Sequence, residues 1–368
     1  MSDKLKIISI CFIAAILMLT IVSFGDEPQP ANLTVQKTVQ ITDVLGRTVE
    51  IPANVTRAAS LTGQGYEKLL VLNQIDKVSA TCAVPSSMPW AYKVAPELRD
   101  IPSISSVQDP NVEDLLSKGI QVAISLYFKD AIEKMTEVGI PVVVVQYSAS
   151  SENSELPQTE EEFANYIKNE MRLYGKVVGP DAEKNADAWC DYFDQKMKYL
   201  KSRIDSLTPD QRPRVFYSRG PDPQTTHTKG YYTQWYVQLA GGDYAAKNVT
   251  GSVAEAISME QIIKWNPDII ILGRINNTDV VMKDPKWQDI KAVKEGKVYL
   301  CPAGVAYWDG GSEGVLFMQF LAKTIHPELF QDLDMTEVIK DYYSRFFRYD
   351  LTDDEANRIL KALPPADS

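Results

Sequence analysis

From residue 39 onward, short apolar runs alternate with amphipathic stretches. Residues 39–52, VQITDVLGRTVEIP, alternate apolar and polar on either side of a DVLG turn and predict a β-hairpin closed by a proline. Strands and helices then take turns. RAASL, KVSATC, QVAISLYF and PVVVVQY read as strands, while GYEKLLVLN, VEDLLSKG and AIEKMTEVG read as helices. Apolar runs of this length, separated by helical pieces, predict a mostly parallel sheet covered on both faces. After the polar loop SASSENSELPQTEEE come two helical stretches, 161–178 and 181–207, separated by GPD. The second starts with an Asp cap and holds no internal Gly or Pro, so at about 1.5 Å per residue it would reach roughly 40 Å. A helix of that length bridges two domains and restricts them to small relative motions. Past TPDQRP the alternation resumes with RVFYSRG, YTQWYVQLAG, SMEQIIKWNPDIIIL, PKWQDIKAV and KVYLCP. The tail is helical, and its last piece, LTDDEANRIL, carries Thr352 as N-cap with Glu355 three places on.

The second half thus repeats the first, down to one detail. Glu113 stands eleven residues before Ile124 of a strand, and Glu260 eleven residues before Ile271 of another. With 368 residues the chain also exceeds what one core usually serves. The reading is an α/β protein of two lobes with mostly parallel sheets joined by a single long helix: an N-terminal lobe over 39–180, the interlobe helix over 181–207 and a C-terminal lobe over 208–368. Ahead of these lie an export segment, 1–24, and a linker, 25–38. Residues 7–24, IISICFIAAILMLTIVSF, form an uncharged apolar run behind KLK, and serve either as a cleaved signal peptide or as a retained membrane anchor. Cys11 lies within that run rather than at its end, which disfavours lipid attachment there.

Composition narrows the partners. A net charge of −11, spread along the chain, argues against nucleic acid or anionic lipid as a partner for the bulk surface. Cys82, Cys190 and Cys301 show no C-x-x-C spacing and read as small buried side chains rather than a disulfide framework or zinc site. Asn32, Asn54, Asn248 and Asn276 begin N-x-T triplets compatible with glycosylation. There is no G-x-S-x-G or H-E-x-x-H, and two histidines leave little for acid–base work, so an extracellular enzyme is the weaker reading.

In open α/β sheets ligands bind outside the carboxyl ends of the strands, so the loops there hold the candidate site. TGQGYE supplies Gln64 and Tyr66, AVPSSMPWAY supplies Trp90, and LYFK supplies Tyr127. SRGPDPQTTHTKGYY supplies Arg219, His227, Tyr231 and Tyr232, GRINN supplies Arg274, and PAGVAYWDGG supplies Tyr307 and Trp308. A guanidinium offers planar paired donors suited to a carboxylate, a catecholate or an oxyanion, and aromatic rings stack on a flat chelate. His227 either binds a metal, donates to an anion or is merely solvated. TGQGYEK lacks the Walker lysine–serine pair, so Gly63 and Gly65 serve close backbone approach rather than a nucleotide phosphate.

Taken in order, ITDVLGRTVEIP leading into RAASL, the long helix, LAGGDYAAKNV, SMEQIIKWNPDIIIL, AVKEGKVYLCP, LAKTIHPELF and FFRYDLTDDE resemble a substrate-binding protein of the iron-siderophore, haem and cobalamin class of ABC importers, the class III periplasmic binding proteins. The resemblance covers residues 39 to about 360. It implies a monomer outside the cytoplasmic membrane that hands a small molecule to a permease with its cytoplasmic ATPase, with no catalytic residue, cofactor or resident metal. It implies a metal chelate as cargo, first a ferric siderophore, with cobalamin or molybdate and tungstate as alternatives; a surface receptor of the same fold is a further one. It also places Glu113 and Glu260 as a permease-docking pair. Read from the residues alone, a helix start favours an acid by 0.3–1 kcal/mol, which would explain either glutamate without a partner.

Overall fold

The computed structural model describes residues 37–82, 84, 87–146 and 156–366; the export segment, Cys11 and Asn32 lie outside them. The expected hairpin is β1 (Thr38–Thr42) against β2 (Thr48–Pro52). The buried Asp43 closes its turn, accepting from Arg47 and from the backbone of Leu45 and Arg47. Five strands follow: β3 (Ala58–Leu61), β4 (Val78–Cys82), β5 (Ser103–Ile104), β6 (Val122–Leu126) and β7 (Val142–Gln146). They lie parallel in the order β5-β4-β3-β6-β7, and the Val, Ile and Ala side chains of β3, β4, β6 and β7 are buried because helices cover both faces.

A second parallel sheet is built from β8 (Arg214–Ser218), β10 (Asp243–Tyr244), β12 (Ile269–Leu272) and β13 (Val298–Leu300), in the order β10-β8-β12-β13. Beside it β9 (Thr225–His227) and β11 (Ala254–Ala256) pair antiparallel. In each sheet the strand order reverses once, between β3 and β6 and between β8 and β12. The residues singled out by the eleven-residue repeat sit on those reversal strands, Ile124 on β6 and Ile271 on β12.

Two antiparallel helices, Glu160–Val178 and Pro180–Ile204, stand between the sheets in sequence. The second runs about 37 Å at 1.5 Å per residue. It begins and ends earlier than expected: Gly179, at φ +113°, breaks the chain between the helices and Pro180 takes the first helical position, so Asp181 lies in the first turn instead of capping it. A Cβ on Gly175 would lie 3.1 Å from the Ala182 carbonyl and the Ala186 methyl, so glycine there lets the pair close. Lys168–Asp194 (2.7 Å) and Arg172–Asp187 (3.0 Å) flank the contact.

The helix Gly65–Val71, which follows β3, is buried throughout and faces the loop after β13. Tyr66 donates to the Val305 carbonyl at 3.0 Å, Ser312 donates to Glu67, and the Glu313 amide reaches Glu67 at 3.3 Å. The C-terminal segment also returns to the first half. Arg348 donates to the Leu70 carbonyl at 2.9 Å, Trp90 to the Leu363 carbonyl at 2.9 Å, and Lys93 pairs with Glu355 at 3.2 Å. Thr352 and Glu355 form the reciprocal cap read from the sequence. The described residues from 37 onward accordingly form one packed unit.

Candidate functional site

Arg219 and Arg274, both half-buried, are the first residues beyond β8 and β12 that are not fully buried; those strands lie on either side of the reversal in the second sheet. A crevice opens at such a reversal because the connections on its two sides depart to opposite faces. Each guanidinium is held by a different strut. Arg274 adopts a left-handed backbone, φ +59°, and binds Asp309 through Nε to Oδ2 (3.2 Å) and a terminal nitrogen to Oδ1 (3.0 Å). Tyr217 of β8 donates to the same Oδ2 at 2.7 Å. A Cβ on Gly273 would fall 1.8 Å from that hydroxyl, so only glycine lets the phenol reach. The Arg274 guanidinium also lies 4.3 Å from the centre of the Tyr307 ring.

Arg219 donates from Nε to Nε2 of His227 at 3.1 Å, which leaves the imidazole proton on Nδ1, toward the Thr233 hydroxyl at 3.1 Å. Tyr217 and Tyr231 sandwich the imidazole, with ring centres 5.7 and 5.9 Å away. Burial pushes the His227 pKa down to about 4, with Arg219 and Arg274 adding to the effect against Asp309, so the ring is neutral near pH 7. Two guanidinium charges less one carboxylate leave the cluster one net positive charge. The terminal nitrogens of Arg219 and the second one of Arg274 have no protein acceptor among the described residues.

A cavity of about 330 Å³ adjoins the cluster, bounded by Arg274, Tyr307, Asp309 and Cys301 on one side and by Ser87 and Met88 of the first half on the other. The Ser87 and Tyr307 hydroxyls meet across it at 2.5 Å. Ligand pockets usually run from about 300 to 1,000 Å³, so this one suits a small cargo.

Of the residues expected at the site, Arg219, His227, Tyr231, Arg274 and Tyr307 come together. Others have their polar atoms committed within the protein. Tyr66 and Trp90 tie the two halves, and Trp308 borders the cavity but is fully buried and donates to Glu313 at 3.1 Å. Tyr232 accepts from Gln146 and sets its ring edge-on to Phe163 at 5.7 Å, while Tyr127 packs against the apolar layer of the first sheet. Gln64 stands at the boundary between the halves, beside Gly311, and its buried Oε1 has no partner among the described residues. Gly65 does serve close approach, but to Ser60, Thr62 and Tyr174, and Gly63 lies in open space. His326 is buried and bonds the Gly241 carbonyl at 3.0 Å. Cys190 and Cys301 are buried and Cys82 half-buried, all three unpaired, and burial pushes the Cys82 thiol up to about 11.

Tyr217, Asp309 and Ser87 were not read from the sequence. Tyr217 hides in an apolar strand and Asp309 in a glycine turn. The available signal was that two arginines beside buried strands call for a counter-charge, and that Asp309 is an acid set among aromatics at a strand end.

Glu113 and Glu260 each occupy the second position of a helix, Val112–Ser117 and Met259–Trp265, and both are exposed. Their helices are capped by other residues: Asn111 accepts from Asp114 at 3.1 Å and Ser258 from Gln261 at 3.2 Å. Among the described residues neither glutamate makes a hydrogen bond or ion pair; both lie in the first turn of a helix, where the backbone dipole favours an acid without a partner.

The family model described as periplasmic binding protein matches residues 59–305. A molybdate-binding protein, MolA, of Haemophilus influenzae is 28% identical over 339 residues, 86% of this chain and 93% of that one. The solved structure of MolA bound to molybdate superposes with a TM-score of 0.75 at 26% identity, covering 85% of this chain and 99% of that chain. A periplasmic solute-binding protein from Veillonella parvula superposes with a TM-score of 0.71 at 27% identity, covering 88% and 97%. An ABC transporter substrate-binding lipoprotein of Bacillus subtilis, YvrC, is 27% identical over 206 residues, 55% of this chain and 59% of that one. With its two parallel sheets and the helices between them, the chain belongs to the periplasmic binding protein family, in its class III form, and is a binding protein rather than an enzyme.

Proposed function

We propose that this protein is the extracytoplasmic solute-binding component of an ABC importer, and that it captures a small oxyanion of the molybdate or tungstate kind at Arg219 and Arg274. The observation that carries the reading is the pair of strand-end arginines, each held by its own strut with terminal N–H groups left for a ligand. Guanidinium groups fixed in this way meet oxyanion geometry without reorganising. The similarity to a protein named for molybdate binding points the same way. The ferric chelate expected from the family resemblance ranks second, because several of the aromatics that would have stacked on it pack inside the protein instead. In this reading residues 39–180 and 208–368 are the two lobes, 181–207 is their spine, and residues 1–24 carry the protein across the membrane or tether it there.

Thermal denaturation with molybdate, tungstate, sulfate, a ferric catecholate and cobalamin tests the cargo. A ligand at 100 times its Kd adds about 2.7 kcal/mol of stability. Stabilisation by molybdate or tungstate is expected, and stabilisation by the catecholate or cobalamin alone would overturn the oxyanion assignment.

The two uncommitted glutamates fit docking to cationic positions on the two halves of a permease. Reversing both, Glu113→Lys with Glu260→Lys, is expected to abolish uptake while leaving ligand affinity within about twofold, since exposed charges far from a site couple weakly to it. Normal uptake in that double variant would refute docking.

A further inference from the structure

An anion site that buries a carboxylate needs a physical reason, since the negative charge opposes the ligand. Asp309 is 2% exposed, and three of its about four lone-pair sites are taken: Oδ2 accepts from Arg274 Nε and from Tyr217, and Oδ1 from a terminal nitrogen of Arg274. Arg274 sits in a left-handed backbone at φ +59°, an arrangement that persists only where the surroundings hold it. Its guanidinium therefore depends on Asp309 for its direction and keeps a single terminal nitrogen for a ligand. Arg219 is aligned from its other side by His227 and keeps two.

Resting on the oxyanion reading above, we propose that Asp309 is a positioning and specificity-determining residue: it aims Arg274 at the cargo and, being buried and mostly committed to Arg274 and Tyr217, selects a fully deprotonated oxyanion over one that carries a proton. The unused arginine atoms are donors only, and a guanidinium has no acceptor to offer. A ligand O–H such as that of hydrogen phosphate finds no exposed carboxylate to receive it, only neutral hydroxyls such as those of Ser87 and Tyr307, which already bond each other, and a desolvated donor so poorly matched lowers affinity by about tenfold or more. Sulfate, molybdate and tungstate carry no such proton at neutral pH.

Two opposed expectations make the proposal testable. Simple electrostatics says that Asp309→Asn, which raises the cluster's charge from one to two, tightens oxyanion binding; loss of Arg274's direction says that it weakens it. Isothermal titration of the full chain at pH 7.5 with molybdate, sulfate and inorganic phosphate is the experiment. Phosphate is expected to bind at least tenfold more weakly than the tighter of the other two. Asp309→Asn is expected to lose about tenfold or more in affinity for that anion, and Asp309→Glu to recover part of the loss. Equal or tighter binding by Asp309→Asn would overturn the positioning role, and phosphate within threefold would overturn the selection. The wild-type phosphate ratio decides the second point even if the variant fails to fold. Wild-type protein that binds none of the three overturns the oxyanion reading, and this inference with it.

Discussion

Replacing Arg274 with alanine is expected to cost the fold roughly 3–5 kcal/mol as well as the oxyanion affinity, although the residue lies at the edge of a crevice. The cost arises at Asp309. Its side chain is 1% exposed, and without the guanidinium 3.0 Å away it becomes a buried carboxylate bonded by a phenol alone, with the Arg219 charge near but not in contact. Removing one member of a buried pair costs far more than the pair itself contributes, because the other is left desolvated. The double variant Arg274→Ala with Asp309→Asn should therefore recover much of the stability while remaining unable to bind. Urea denaturation of the two variants checks this. A single variant within 1 kcal/mol of wild type would show that Asp309 is solvated or paired in some other way.

The second large effect concerns the boundary between the halves, where Glu67 and Glu313 lie buried. Burial first, then the Glu67 carboxylate, pushes the Glu313 pKa from 4.5 up to about 8, against the opposing hydrogen bonds from Tyr343, Ala306 and Trp308. Glu67 is itself raised by burial, with Lys68 and Ser312 opposing, and Lys68 also pairs with Glu170 at 3.1 Å. One proton is thus held at the boundary near pH 7. For Glu313 the folded pKa is the higher one, so its contribution to stability is fully present below about pH 4.5 and is lost as pH rises toward 8, where the folded state must give up a proton the unfolded chain has already lost. At about 1.4 kcal/mol per pKa unit, the loss is at most about 5 kcal/mol. Glu313→Gln keeps the shape and removes the charge. Its melting temperature should vary less than that of wild type between pH 5 and 8 and exceed it above pH 8. Parallel profiles for the two proteins would mean that Glu313 is ionised throughout.

Much of this was written in local pattern. The hairpin, the alternating strands and helices, the two central helices and the Thr352 cap each depend on residues within a few positions of one another, where periodicity and turn chemistry act directly. The start of the long helix was misplaced for an equally local reason: Asp181 looks like a cap, but Gly179 and Pro180 before it fix the backbone first. Arg219 and Arg274 were found because a charge straight after an apolar strand has few ways to be buried.

The sequence by itself determined two α/β halves, the helices between them and the pair of strand-end arginines, because hydrophobic period and strand-end position are properties of neighbouring residues. Only the tertiary structure decided which aromatics spend their polar atoms inside the protein. Tyr66, Trp90 and Trp308 hydrogen-bond to Val305, Leu363 and Glu313, and two of those partners lie more than two hundred residues away. It also decided that Asp309, in a glycine turn, and Tyr217, in an apolar strand, are what aims Arg274. A side chain's partners across such distances are set by how two sheets and the loops beyond them pack, and no local period encodes that.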